Sequence, residues 1–142
     1  MRVVNHVGIA VHDLERSVVF YRDVVGLEVQ IEHFHAAGEW FDTLTANSGA
    51  VIDGTNLGDE GFTLQLVQYE AGGEPEAMTG HNRVGNLHIS INVPDAHAKR
   101  DEVVAAGVPD PTPVVEIPGG RSFYVLDPDG VPVEFMHLDH LW

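Results

Sequence analysis

The sequence contains no cysteine. A chain without thiols has no disulfide framework, no thiolate zinc site, no iron–sulfur cluster and no cysteine nucleophile. Any transition metal would have to be held by histidine, carboxylate or amide side chains, and nine histidines are present.

Positive charge is scarce as well. Seven Lys and Arg stand against 22 Asp and Glu, which gives a net charge of −15. Such a surface repels phosphate backbones and anionic membranes, so we expect neither nucleic acid nor membrane as a partner. No apolar run approaches the roughly 20 residues of a membrane span. The opening segment reaches His6 and Asp13 too soon for a signal peptide, so a cytoplasmic location is expected.

The chain has the length of one domain and carries an internal repeat. Its 142 residues suit a single domain over residues 1–142. The segment VNHVGIAVHDLERSVVFYRDVVGLEV returns as NLHISINVPDAHAKRDEVVAAGV. The matching positions are His6 with His88, Asp13 with Asp95, and Gly26 with Gly107. We therefore predict two modules, at about 1–72 and 85–142, joined by a linker at about 73–84.

Each module begins with the pattern of a strand followed by a helix. Apolar residues alternate with small or polar ones from His6 to Val11, which is typical of a strand with one face on a core. Asp13 and Asp95 are good helix N-caps, and a glycine follows each helical segment where a left-handed cap is expected. The sequence thus predicts an α+β fold.

Further strands close each half. FTLQLVQY and VPVEFMHL have strand periodicity, and DPDG predicts a tight turn before the second of them. The segment HFHAAGEWFDTLTANSGA is less regular and is interpreted as an inserted loop or lid. EAGGEPEAMTGHNRV is interpreted as the connection between the modules.

Four strands carry one metal-competent residue on the face opposite their apolar residues: His6, Gln65, His88 and Glu134. Their neighbours on that face are small or apolar rather than charged, which favours a lined cavity over a solvated surface. Two imidazoles, an amide and a carboxylate suit Zn, Ni, Co, Mn or Fe(II). We predict that the four converge on one divalent metal ion.

The chain resembles the glyoxalase/bleomycin resistance/dioxygenase superfamily, also called vicinal oxygen chelate. The segments that carry the resemblance are VNHVGIAVHDLERSVVFYRDVVGL, FTLQLVQY, LHISINV and FYVLDPDGVPVEF. It implies two βαβββ modules that form an open, incompletely closed barrel around a metal. It also implies ligands on the first and last strand of each module, at the four positions named above.

The resemblance leaves three functions open. The ligand order His, Gln, His, Glu is similar to that of methylmalonyl-CoA epimerase, and implies an isomerase, epimerase or glyoxalase-type lyase that stabilises an enediolate-type intermediate of a small substrate. His6, His88 and Glu134 would also satisfy an Fe(II) extradiol dioxygenase, with Tyr124 as an acid beside the metal. A metal-free protein that binds an antibiotic or metabolite is the third alternative.

Two catalytic residues are expected. Glu134, as a labile ligand, is the best-placed base in the chain, and Glu39 and Asp42 are weaker candidates. Tyr124 is the candidate acid beside the metal. A homodimer is expected. The motif His33-x-His35 is interpreted as solvated surface histidine rather than a metal site.

Overall fold

A computed structural model describes residues 2–78 and 80–142 of the chain. The order strand, helix, three strands occurs twice, and the first copy has an added helix between its second and third strands. The chain divides into two compact units, Met1–Glu76 and Ala77–Trp142. The first contains β1 (Val7–Ala10), α1 (Leu14–Val19) with a π-helical continuation (Phe20–Val25), β2 (Glu28–Ala36), α2 (Glu39–Thr45), β3 (Val51–Asp59) and β4 (Phe62–Ala71). The second contains β5 (Ile89–Asn92), α3 (Ala96–Ala105), β6 (Val115–Ile117), β7 (Gly120–Leu126) and β8 (Pro132–Leu138).

Each unit forms one four-stranded sheet with the same topology. The strand orders are β1-β4-β3-β2 and β5-β8-β7-β6. In both sheets the first strand pairs in parallel with the last, and the other neighbours are antiparallel. A parallel pair needs a long crossover, which the helix and the intervening strands provide. The predicted α+β fold of two βαβββ modules is confirmed.

The helix caps expected from the sequence are present. The Asp13 carboxylate accepts a hydrogen bond from the amide of Arg16 at 3.0 Å. Asp95 accepts from the amides of His97 and Ala98 at 2.9 and 3.1 Å. Gly26, at φ 95°, ends the π-helical segment in the left-handed region that glycine adopts without strain.

The helices α1 and α3 each lie on one face of their sheet. In the first unit the backbone amide of Leu14 in α1 donates to the Gln68 side chain of β4 at 2.7 Å. In the second, the Lys99 ammonium of α3 lies 5.2 Å from the centre of the Phe135 ring of β8. Because side chains alternate along a strand, Gln65 and Glu134 lie on the opposite face of their sheets.

The segment interpreted as a loop or lid is in fact regular structure. It comprises the end of β2, the helix α2 and the turn that leads into β3. Phe41 of α2 packs in a buried apolar cluster with Ala36, Ala50 and Ile52, which fastens the helix to the sheet. The loop interpretation was wrong because the apolar residues that bury α2 lie on both flanking strands, outside the helical sequence itself. None of the helices in the described residues is long and apolar enough to cross a membrane.

Candidate active site

The first unit brings His6 and Gln65 to one face of its sheet. His6 immediately precedes β1, and Gln65 lies on β4 in register with Gly8. His6 stands two positions before Gly8, so strand alternation directs it to the same face as Gln65. The His6 side chain is exposed, and its Nδ1 lies 2.6 Å from the side-chain oxygen of Asn5.

The second unit repeats this placement with His88 and Glu134. His88 immediately precedes β5, and Glu134 lies on β8 in register with Ser90, two positions beyond His88. Each unit therefore offers one imidazole and one side-chain oxygen at equivalent positions. The strand register places the two members of each pair on one face of their sheet.

The Glu134 carboxylate is held in place from the neighbouring strand. Its side chain is buried, and Oε1 accepts a hydrogen bond from the Ser122 hydroxyl at 2.6 Å. Tyr124 stands directly opposite Glu134 in the β7–β8 register. A carboxylate that is fixed by an outer hydrogen bond presents its other oxygen in a defined direction, as metal-binding and proton-transferring carboxylates require.

The Tyr124 phenol is kept in its neutral form. Burial raises its pKa above the usual value, and the negative charge of Glu134 and a hydrogen bond to that carboxylate raise the pKa further. A neutral phenol has a proton to donate, so Tyr124 is able to act as a hydrogen-bond donor or acid beside Glu134.

Two histidine rings contact Tyr124. The His88 ring lies edge-to-face at 5.9 Å between centroids, and the His81 ring does so at 4.6 Å. The second unit thus gathers His88, Tyr124, Glu134 and Ser122, of which only Ser122 was not singled out by the sequence. Its position two residues before Tyr124, on the same face of β7, was the signal that could have found it.

The donor types of each pair fit a divalent cation. Nitrogen and oxygen donors with one negative charge suit a borderline metal. Within the part of the chain that the structure describes, no three His, Asp or Glu side chains form a ready-made metal site.

A further polar residue lies beside Gln65. Asn56 of β3 stands opposite Gln65 in register, and its side-chain oxygen is buried without a hydrogen-bond partner. Sequence reasoning missed Asn56, because one amide in an otherwise regular strand has no distinguishing pattern.

The histidine motif of β2 forms a surface cluster with a carboxylate. A single oxygen of Asp53 lies 2.8 Å from His33 Nε2 and 2.9 Å from His35 Nδ1. The side chains of both histidines are largely exposed, in agreement with the interpretation as solvated surface residues. The hydrogen bonds from His35 and His33 lower the pKa of Asp53.

Asp53→Asn is expected to change how stability depends on pH. Because the folded-state pKa of Asp53 is lowered, its contribution is present above the unfolded value of about 4 and is lost as pH falls through the folded value. Chemical denaturation should therefore show wild type to be more stable than the variant at pH 6. The difference in their free energies of unfolding should disappear below about pH 4. A difference in the free energy of unfolding that stays constant from pH 6 to pH 2 would contradict the lowered pKa of Asp53.

The sequence of the chain identifies the family to which it belongs. The chain matches the Glyoxalase/Bleomycin resistance protein/Dioxygenase superfamily over residues 3–135 and belongs to it.

Among proteins of known description, the chain is 30% identical to a 2-epi-5-epi-valiolone epimerase from Actinomyces sp., with 95% of this chain and 79% of that protein covered. It is also 30% identical to a probable lactoylglutathione lyase from Vibrio cholerae serotype O1, with 92% and 87% covered. The crystal structure of a glyoxalase family protein from Bacillus cereus has the same fold, with a TM-score of 0.78 at 17% identity and coverage of 97% and 95%. The relatives support an enzyme of this superfamily.

Proposed function

We propose that the protein is a divalent-metal-dependent enzyme that moves a proton on a small oxygenated substrate, as an isomerase, epimerase or glyoxalase-type lyase. His6 and Gln65 of the first unit and His88 and Glu134 of the second would hold the metal, as Zn, Ni, Co, Mn or Fe(II). A bound divalent cation supplies Lewis-acid stabilisation of charge on adjacent substrate oxygens.

The observation that carries the proposal is the environment of Glu134. Its carboxylate is buried, fixed at one oxygen by Ser122 and faced by the neutral phenol of Tyr124. A carboxylate and a phenol in contact form a pair in which one group accepts a proton while the other donates one. Names of relatives that include an epimerase and a lyase support the same type of chemistry.

The residues of this pair would have separate tasks. Glu134 would act both as a ligand and as the group that accepts the substrate proton. Tyr124 would donate a hydrogen bond or a proton to the oxygen on which negative charge develops. Small-molecule substrates and a homodimer are part of the same proposal.

An Fe(II) extradiol dioxygenase is the alternative that one observation favours. His88 and Glu134 both lie next to Tyr124, an arrangement that would also place an acid beside a two-histidine, one-carboxylate iron site. Gln65 favours the proton-transfer reaction, because a fourth protein donor leaves fewer positions for oxygen and substrate together. Metal analysis separates both enzymes from a metal-free binding protein.

Solvent hydrogen exchange tests the proposed reaction. With Zn, Ni, Co or Mn added and oxygen removed, the protein should exchange the proton α to a carbonyl of a 2-hydroxy ketone or hemithioacetal for deuterium from D₂O. The exchange is followed by proton NMR, and the matched control is Glu134→Gln, which keeps the shape of the side chain and removes its basicity.

The outcomes are distinct. Exchange that requires the metal and Glu134 supports the proposal. Turnover that occurs only with Fe(II) and a catechol, with oxygen consumed, would establish the dioxygenase instead. Protein that is purified without chelators and holds no divalent metal, and gains none on titration, would favour the binding protein.

A further inference from the structure

The segment before β5 is more than a connection, because it forms a closed loop. The Asn86 side chain donates to the carbonyl of Gly80 at 2.6 Å, and its backbone amide donates to the carbonyl of Arg83 at 3.0 Å. Gly80 and Gly85 take φ values of 94° and 85°, which allow the chain to turn at both ends. One asparagine thus holds residues 80–86 in a fixed shape.

This loop carries His81 to the Tyr124 ring. The two ring centroids are 4.6 Å apart with an interplanar angle of 78°, an edge-to-face contact closer than that of His88 with the same ring. Aromatic pairs favour this geometry. Tyr124 is therefore contacted by two imidazoles, while its phenol faces Glu134.

A half-buried tyrosine needs such support to keep one orientation. Tyr124 is partly exposed, and the direction of its phenol is set by χ1, since rotation about χ2 leaves the phenolic oxygen on the ring axis. The groups that pack against the ring restrain χ1. His81 is itself exposed and belongs to neither predicted ligand pair. Its ring contact with Tyr124 is therefore the interaction through which His81 can affect the site.

We propose that His81 is a positioning residue, which the loop of residues 80–86 holds against Tyr124 so that the phenol stays directed at Glu134. The contact itself stands independently, whereas its effect on turnover rests on the proposed function. The imidazole acts here through the packing of its ring. A phenyl ring at position 81 should therefore replace it, and alanine should not.

NMR of metal-free protein tests the contact without reference to activity. Tyrosine labelled with ¹³C in the ring gives signals from the three tyrosines of the chain, and the signals of Tyr124 are identified by their loss in Tyr124→Phe. His81→Ala should shift the Tyr124 signals and broaden them as the side chain exchanges between χ1 rotamers, while Tyr21 and Tyr69 stay unchanged. His81→Phe should retain the wild-type line shape. Tyr124 signals that His81→Ala leaves unaltered would overturn the proposal.

Kinetics test the consequence. His81→Ala should lower kcat about fivefold with KM unchanged, the size expected from one aromatic contact, and His81→Phe should restore it. Asn86→Ala should resemble His81→Ala, and the double variant should be no worse than either alone, because both act through one contact. The exposed His97→Ala serves as the control.

The failures are distinguishable. If His81→Phe is as slow as His81→Ala, the imidazole has a chemical role of its own and the positioning proposal is wrong. If wild type shows no proton-transfer activity, the proposed function fails, and the NMR result alone decides whether His81 positions Tyr124.

Discussion

Glu134→Ala is expected to abolish tight binding of a divalent cation and, with it, activity. The carboxylate is the one charged donor of the proposed set, and Ser122 already fixes its direction. Loss of a hydrogen-bonding partner behind a ligand lowers metal affinity about 10- to 100-fold, so loss of the ligand itself should exceed about 100-fold. Calorimetric titration with Zn or Co measures the effect.

The proposed ligands should follow a ranked order. His88→Ala should weaken binding as severely as Glu134→Ala, and Gln65→Ala should weaken it less, because an amide oxygen is a neutral and poorer donor. Ser122→Ala should lower the metal affinity about 10- to 100-fold. Glu116→Ala, an exposed carboxylate on the same sheet, is the control.

Two results would contradict this order. Equal losses of metal affinity in Gln65→Ala, His88→Ala and Glu134→Ala would mean that the amide is not the weakest donor of the set. Unchanged affinity in His6→Ala and Gln65→Ala, with loss in the other two, would confine the metal to the second unit. The proposed combination of the two pairs would then be wrong.

The repeat made much of the fold predictable from the sequence. Matching positions such as Asp13 and Asp95 recur because each module needs the same cap at the start of its helix, and both caps form. Alternation along a strand has a period of two, so it placed Gln65 and Glu134 on the face opposite α1 and α3. These are local rules, which need no knowledge of distant contacts.

What the sequence did not predict depends on contacts between elements. α2 is stabilised by Phe41 packing on Ala36, Ala50 and Ile52, and no periodicity within seven residues signals such a helix. His81 lies in a glycine-rich segment that reads as a linker. Its contact with Tyr124 depends on a side-chain hydrogen bond from Asn86, which only the folded loop creates.

Tyr124→Phe is expected to lower kcat about 100- to 10,000-fold, the contribution typical of a positioned acid or base. The substitution removes one hydroxyl and keeps the ring, so the contacts with His81 and His88 should survive. Metal affinity should change far less than in Glu134→Ala, because the phenol is no proposed ligand. Steady-state kinetics and calorimetric titration of the same preparations separate the two effects.

Tyr69→Phe is the matched control, since it makes the same chemical change in the other unit, where Tyr69 packs beside an apolar cluster. It should leave kcat and KM near those of wild type. A small effect of Tyr124→Phe on kcat would show that the phenol is dispensable. The proton would then pass between Glu134 and substrate or water without it. A loss of metal affinity as large as that of Glu134→Ala would show that Tyr124 acts on the ligand set rather than on the proton, because its hydrogen bond to Glu134 is the route by which it could do so.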